Sequence, residues 1–453
     1  MNKIIPIAIN FNESTAKAAA LLLVALLGII GIYSARGLYA DGSFFLFNIL
    51  SQKSYWDFDK PRAFIQLITQ TPVVLGIKLG VKEITTLIYL HSIGIVGIPI
   101  IIWCLTLFQH IKSEHFWILL IAFSATYLSA GFFAVGEYNL TYALAAYCLS
   151  VLLKEKITLL DSVLIIFAAI ALTRSYEAMV FLGPALFLFS ARRIISSTSN
   201  KKILEKNVLL ILLFLFASAT TVAAWSILFP RDPANLAGAG NISHIIKSGY
   251  FIYLSGMISI YFIIQKAPRK FKHFFVLIAA GSVIYFISFR EIWNSPSMNY
   301  GFRSMAGLIL FFIFLAIFIE DINKKNGEIK IAAAKTSTAL TGVISLLLFL
   351  SLALTSATYS LEFSRWIKNF EFAASKASSW VHIDEATTVD GFYSEFNWAW
   401  TNPSLSIILR GNSTGGILNS KHYTGWQPFK PESMQENPIG YLSKAHELII
   451  KKQ

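Results

Sequence analysis

Asp41, Asp57 and Asp59 lie in the stretch Arg36–Arg62 (RGLYADGSFFLFNILSQKSYWDFDKPR), directly after the first long apolar run of the chain. Carboxylates beside a lipid-facing helix end are costly unless water, a cation or a substrate compensates them. Asp41, a few residues past the run, is the candidate general base, placed to take a proton from an acceptor hydroxyl. The plain alternative is that Asp41-Gly42 begins a turn. Glu137, in the short polar turn 136–139 between two apolar runs, is the second candidate acid; its ordinary role there is a solvated turn residue or an N-cap. Asp57-Phe58-Asp59 has the Asp-x-Asp form that can chelate a divalent cation beside a phosphate. Asp41, Asp57, Asp59 and Glu137 are therefore the residues that could hold Mg or Mn, the only cofactor the sequence leaves open.

Arginines supply the complementary charge. Arg174 and Glu177 flank Tyr176 between two apolar runs, and Arg290 and Arg303 open and close the segment REIWNSPSMNYGFR. Arginines at a lipid–water boundary are often snorkelling anchors. Their alternative use is bidentate binding of a phosphate, which makes Arg174, Arg303 and Arg290 candidates for holding a phosphorylated donor. Tyr39, Tyr176 and Glu177 are candidates for orienting the acceptor. His244 reads as a surface histidine. The chain has no phosphate-binding P-loop and no His-Glu-x-x-His zinc motif.

The elements that must position these residues are membrane helices. Of 453 residues 55% are hydrophobic and 14% charged, with a mean hydropathy of +0.60, against roughly 25% charged in a soluble protein. Apolar runs near 16–34, 85–108, 116–135, 138–153, 157–173, 176–191, 207–229, 250–265, 271–289, 304–320 and 336–358 approach the length that crosses about 30 Å of hydrocarbon. They predict an all-α polytopic membrane protein with about eleven crossings. The first run has a long apolar core with no clear small-residue cleavage pattern after it, and is expected to remain as a helix. Cys104 and Cys148 both fall in apolar runs, with neither disulfide nor zinc spacing.

Residues 63–81 are apolar enough to tempt a twelfth crossing but carry Gln66, Gln70, Pro72 and Lys78. Charge decides the matter. Segments 192–206, 265–273 and 321–335 hold five, four and four Lys or Arg, and letting 63–81 cross would place all three outside, against the positive-inside rule. So 63–81 is read as an interfacial or re-entrant helix within an outer loop 36–84, and the N-terminus as cytoplasmic. The net charge of +13 follows from this topology and does not imply nucleic-acid binding. Every unusual polar loop then lies on one face, while the inner loops read as plain Lys-rich connectors. Residues 1–360 form the membrane domain. Residues 361–453 are less hydrophobic, carry aromatics among turn residues, and are expected to form a small soluble α+β domain on the outer, periplasmic face of an inner membrane. About ninety residues build only a modest core, so this domain should lean on the membrane part.

The long first outer loop with Asp41 just after span one, the interfacial helix that follows, Glu137 in the second outer loop and a soluble outer C-terminal domain together resemble the GT-C superfamily of integral-membrane glycosyltransferases. The resemblance covers the topology of the whole chain and only a few motif residues. It implies transfer of a sugar from a polyprenyl-phosphate carrier to a lipid, glycan or protein acceptor. It also implies that Asp41 is the catalytic carboxylate, that Glu137 assists acceptor or metal binding, and that an arginine near the outer end of a later span holds the donor phosphate. Many members have two adjacent acidic residues at the first position, whereas Asp41 is followed by Gly42. Two other classes fit the pattern less well. An O-antigen polymerase or ligase would rely on outer-loop arginines and survive neutralisation of Asp41. A transporter or flippase would place ionisable groups near the bilayer midplane, where charge is scarce here.

Overall fold

The computed structural model describes residues 12–56, 60–129, 137–196, 203–230, 249–266, 268–288, 296–325, 334–376, 380–382, 396–398, 401–410 and 417–419. Its first helix, α1 (Glu13–Tyr33), starts on Asn12, whose side chain accepts from the Thr15 N–H, with Glu13 in the first turn. Both features stabilise a helix start. One face, with Ala20, Val24 and Leu27, is buried, while Leu22, Leu26 and Ile29 are exposed, as suits a helix wedged between protein and lipid.

After α1 come the 3-10 turn Arg36–Leu38, α2 (Asp41–Gln52), the 3-10 turn Lys60–Arg62 and α3 (Ala63–Lys78). Next, α4 (Ile84–Ser92), a π turn (Ile93–Gly97) and α5 (Ile98–Gln109) form a continuous rod, and α6 (His115–Phe123) ends in a second π turn (Ser124–Leu128). The Tyr127 hydroxyl donates to the Val96 carbonyl at 3.4 Å, bridging the two π turns. The bundle continues with α7 (Tyr138–Leu152), α8 (Leu159–Thr173), α9 (Met179–Ile195), α10 (Ile203–Leu228), α11 (Gly249–Lys266), α12 (Arg269–Ser288) and α13 (Pro296–Lys325). Every residue of α7 is buried, which makes it the axis of the main core.

Among the described residues, five helical segments are long and apolar enough to cross a membrane: Glu13–Tyr33, Ile84–Gln109, Ile203–Leu228, Met305–Ile322 and Leu340–Lys376. Shorter apolar helices accompany them, so the protein is a helical membrane protein. Helix α3 lies across the α4–α5 rod at close range. A Cβ on Gly94 would fall 1.8 Å from the Thr69 carbonyl oxygen, so only glycine permits this crossing.

Two elements depart from the sequence reading. The segment 290–303 is expected as a loop, but from Pro296 onward it belongs to α13, since Pro at a first helical position leaves no donor unused. The last long helix, α14 (Ala334–Lys376), spans 43 residues, about 65 Å at 1.5 Å per residue, and runs unbroken through the division placed at 360/361. Beyond 358 its buried positions include Tyr359, Phe363, Trp366, Phe370 and Ala373, the three-and-four spacing of an amphipathic stripe. That stripe packs in one core with Leu38, Tyr39, Leu46 and Leu50 of the first loop, Val73 and Ile77 of α3, and Leu405 and Ile408 of α15 (Asn402–Arg410). First loop and tail therefore share a core. Among the described residues, strand structure is limited to β1 (Trp380–His382) and β2 (Ile417–Asn419), paired in parallel.

Charged groups gather at the two ends of the bundle. At the end where α1 begins, the Arg193 guanidinium donates to the carbonyls of Leu152 (2.8 Å), Lys154 and Glu155 (3.1 Å) and to Glu205 (2.9 Å). Arg192 pairs with Asp321 at 2.7 Å, and Lys154 with Asp161 at 2.7 Å. Lys17 meets Glu13 at 2.7 Å and the Ser113 carbonyl at 2.9 Å. His110, just past α5, bonds Ser113 Oγ at 3.0 Å and the Ser150 carbonyl at 2.9 Å. Loops that read as plain connectors are in fact stapled to helix ends.

Candidate functional site

The opposite end holds a different arrangement. The 3-10 turn Lys60–Arg62 delivers Arg62 to the start of α3, where it is buried. Its Nε and Nη2 donate to Glu177 Oε1 at 3.1 and 2.6 Å, and its Nη1 donates to Glu137 Oε2 at 3.3 Å. Gln66, one turn along α3, donates from Nε2 to Glu137 Oε1 at 3.0 Å. The guanidinium carbon lies 5.1 Å from the ring centroid of Tyr176. Two carboxylates thus share one arginine at this end of the bundle, and burial strengthens each attraction.

Glu137 stands at the N-cap of α7, yet its side chain makes no cap hydrogen bond. It reaches instead across to α3, so neither ordinary reading of a turn glutamate applies. Glu177 and Tyr176 come from the turn between α8 and α9. The ring of Tyr176 packs 5.8 Å from Tyr138 and 6.3 Å from Tyr142. Arg174, two residues earlier, is exposed, with its guanidinium carbon 5.7 Å from the Phe64 ring centroid. One network thus joins the start of α3, the residue before α7 and the α8–α9 turn.

Asp41 occupies the first residue of α2, where unpaired backbone N–H groups favour a negative charge. The turn expected at Asp41-Gly42 is the start of a helix, and the break in the chain lies just before it. Ala35 (φ 55°) and Ala40 (φ 50°) both adopt left-handed φ values, which cost energy in a residue with a Cβ. Between them Arg36 is buried and donates from Nη1 to Ser356 Oγ of α14 at 3.3 Å. Burial pushes its guanidinium pKa down, with Tyr127 and Tyr138 close enough to oppose that shift.

Tyr39, expected to orient an acceptor, is 1% exposed. It packs within 5.4 Å of Phe363 and 6.2 Å of Phe396, measured between ring centroids. Its ring seals the shared core of loop and tail. Arg303 falls two turns into α13; its side chain, like the whole of Arg290, Asp57, Asp59 and His244, lies outside the described residues. No three His, Cys, Asp or Glu side chains are grouped to hold a metal ion among the described residues. Both carboxylate oxygens of Glu137 are already engaged by Arg62 and Gln66.

The structure thus brings together Glu137, Glu177 and Tyr176, with Arg174 beside them. The hub that joins them, Arg62, is a residue sequence reasoning passed over, as is Gln66. A signal for both exists: Arg62, Gln66 and Gln70 recur at four-residue spacing and so share one face of an apolar helix. Gln70 completes that face, accepting from the Trp56 N–H at 2.8 Å and donating to the Trp56 carbonyl at 2.9 Å. Gln66 and Gln70 of α3 are buried in the protein, while Leu67 and Leu75 are exposed. No family model, curated protein or solved structure matches the chain.

Proposed function

We propose that this protein is a membrane glycosyltransferase that moves a sugar from a polyprenyl-phosphate donor to a lipid, glycan or protein acceptor, working at the Arg62 end of the bundle. On this reading about eleven helices cross the membrane, the N-terminus is cytoplasmic, and the Arg62 end with the tail faces the periplasm. The observation that favours it most is the buried Arg62–Glu137–Glu177–Gln66 network. An ionised network at a helix-bundle edge suits substrates whose reacting groups sit at the interface while their tails stay in lipid.

Asp41 acts as general base. The acceptor hydroxyl gives its proton to the carboxylate as its oxygen attacks the anomeric carbon. The bond from that carbon to the phosphate oxygen breaks, and polyprenyl phosphate leaves with the electron pair. A lipid phosphate is a good leaving group, so positioning and a cation at the departing phosphate supply most of what is needed. Exposed Arg174, two residues from Tyr176, is the first candidate for that cation role, with Arg303 and Arg290 as the others. Glu137 and Glu177 hold Arg62 and so fix where α3 begins. A divalent cation, if the reaction uses one, would be held by Asp41 with Asp57 or Asp59 and would offset charge on the donor phosphate.

The test is a surface-glycan profile of cells lacking the protein, complemented with wild type or Asp41→Asn at matched membrane abundance. Restoration by wild type alone supports a carboxylate-dependent transferase, and the missing sugar identifies the substrate. Full restoration by Asp41→Asn moves an arginine-based polymerase or ligase ahead, a reading favoured by an arginine being the hub of the network. An unchanged profile moves transport ahead.

A further inference from the structure

We infer that His91 and Ser92 are positioning residues for Asp41, acting through the backbone of the short segment that carries it. This rests on the reading of Asp41 as general base. The segment 35–42 leaves α1 and enters α2 by way of two left-handed alanines; Ala40, with φ 50° and ψ −127°, immediately precedes Asp41. Such a conformation persists only when its surroundings hold it, and two adjacent residues of α4 do so. The Nε2–H of His91 donates to the Gly42 carbonyl at 3.0 Å, and Ser92 Oγ accepts from the Gly37 N–H at 3.2 Å. One bond lies on each side of Ala40 and Asp41.

The fit allows little freedom. His91 and Ser92 are both fully buried, and a Cβ on Gly37 would lie 2.8 Å from Ser92 Cα. Directly after Ser92 the helix passes into the π turn Ile93–Gly97. An inserted residue of this kind shifts the register of the flanking turns and is frequent at functional sites. A histidine in an apolar helix is most simply a packed core residue. Here its ring instead spends its one neutral-state donor on the carbonyl next to the proposed base. The carbonyl of Gly42 needs that donor from Nε2, which assigns the tautomer.

A misplacement of about 1 Å can cost on the order of a hundredfold in rate, so removing the His91 donor should lower transfer without unfolding the chain. His91→Leu, His91→Gln, Ser92→Ala and Asp41→Asn are compared in the glycan complementation assay at matched levels of folded protein, judged by size exclusion in detergent. Glutamine places its amide N–H where imidazole Nε2–H lies, so it separates the hydrogen bond from mere filling of space. The expected result is roughly a thirtyfold or larger loss for His91→Leu, recovery to within about threefold of wild type for His91→Gln, a smaller loss for Ser92→Ala, and no activity for Asp41→Asn. Wild-type activity in His91→Leu, or equal loss in His91→Leu and His91→Gln, overturns the positioning role while leaving Asp41 intact if Asp41→Asn is inactive. Should His91→Leu fail to fold, His91→Gln alone decides, since it must be both folded and active. An active Asp41→Asn, or a deletion with no glycan change, overturns the underlying reading as well.

Discussion

At the end of the bundle where α1 starts, the Arg193 guanidinium reaches three backbone carbonyls and the Glu205 carboxylate. At the other end the Arg62 guanidinium is divided between two carboxylates and lies over a tyrosine ring. Both arginines are buried and both join several elements. The partners differ in kind. Arg193 satisfies the last carbonyl of α7, a group that every helix leaves unpaired and that a cation stabilises, together with two carbonyls just beyond it. Arg62 holds two acids that no helix requires at those positions. Helix mechanics explains the first arrangement completely and the second only in part, which is why function is sought at the second.

Four tests break or sharpen that contrast. Arg62→Leu should have the largest effect, because it leaves Glu137 and Glu177 without their shared cation. Removing one partner of a buried pair costs about 3–5 kcal/mol, so the melting temperature in detergent should fall sharply. Adding Glu137→Gln should recover part of the loss, and its failure to do so would mean the two groups do not act as a pair. Acidification should act at the other end. Burial holds His110 down at about 4, whereas a solvent-exposed histidine titrates near 6.5. Between these values the unfolded chain binds the extra proton and the folded chain does not. Stability from this group is thus complete above pH 6.5 and is lost as pH falls towards 4, by up to about 3 kcal/mol. His110→Gln should flatten the melting-temperature profile over that window.

Arg193→Ala should cost about 2–3 kcal/mol, from charge-assisted bonds to buried carbonyls, and should leave transfer per folded molecule unchanged. A selective loss of transfer there would erase the distinction between the two ends. Arg174→Ala should be nearly silent in stability, within about 1 kcal/mol for an exposed cation over an aromatic ring. If Arg174 holds the donor phosphate, transfer should fall nevertheless; unchanged transfer would pass that role to another arginine.

Much of the chain could be read directly. Long apolar runs such as Ala18–Ile32 and 207–229 become α1 and α10 within a few residues, because burying backbone polar groups in hydrocarbon leaves helix as the only open-ended solution. The glutamines that argued against residues 63–81 as an ordinary crossing do distinguish α3, though their side chains turn towards protein. Legibility fails where a residue's role depends on a distant partner. Arg62 and Glu177 are 115 positions apart, and nothing local in either marks the pairing. The same holds for Tyr39, which reads as a polar aromatic beside the proposed base and is in fact enclosed by Phe363 and Phe396.

The sequence by itself determined that this is a helical membrane protein and where most of its helices lie, since hydropathy over some twenty residues is a local quantity fixed by composition. Only the tertiary structure decided that the first loop and the last helix form one core, that Asp41 begins a helix held by His91, and that Arg62 gathers Glu137 and Glu177. Those outcomes come from packing between segments far apart in the chain, where the energy belongs to the pair and neither partner's surroundings in sequence reveal it.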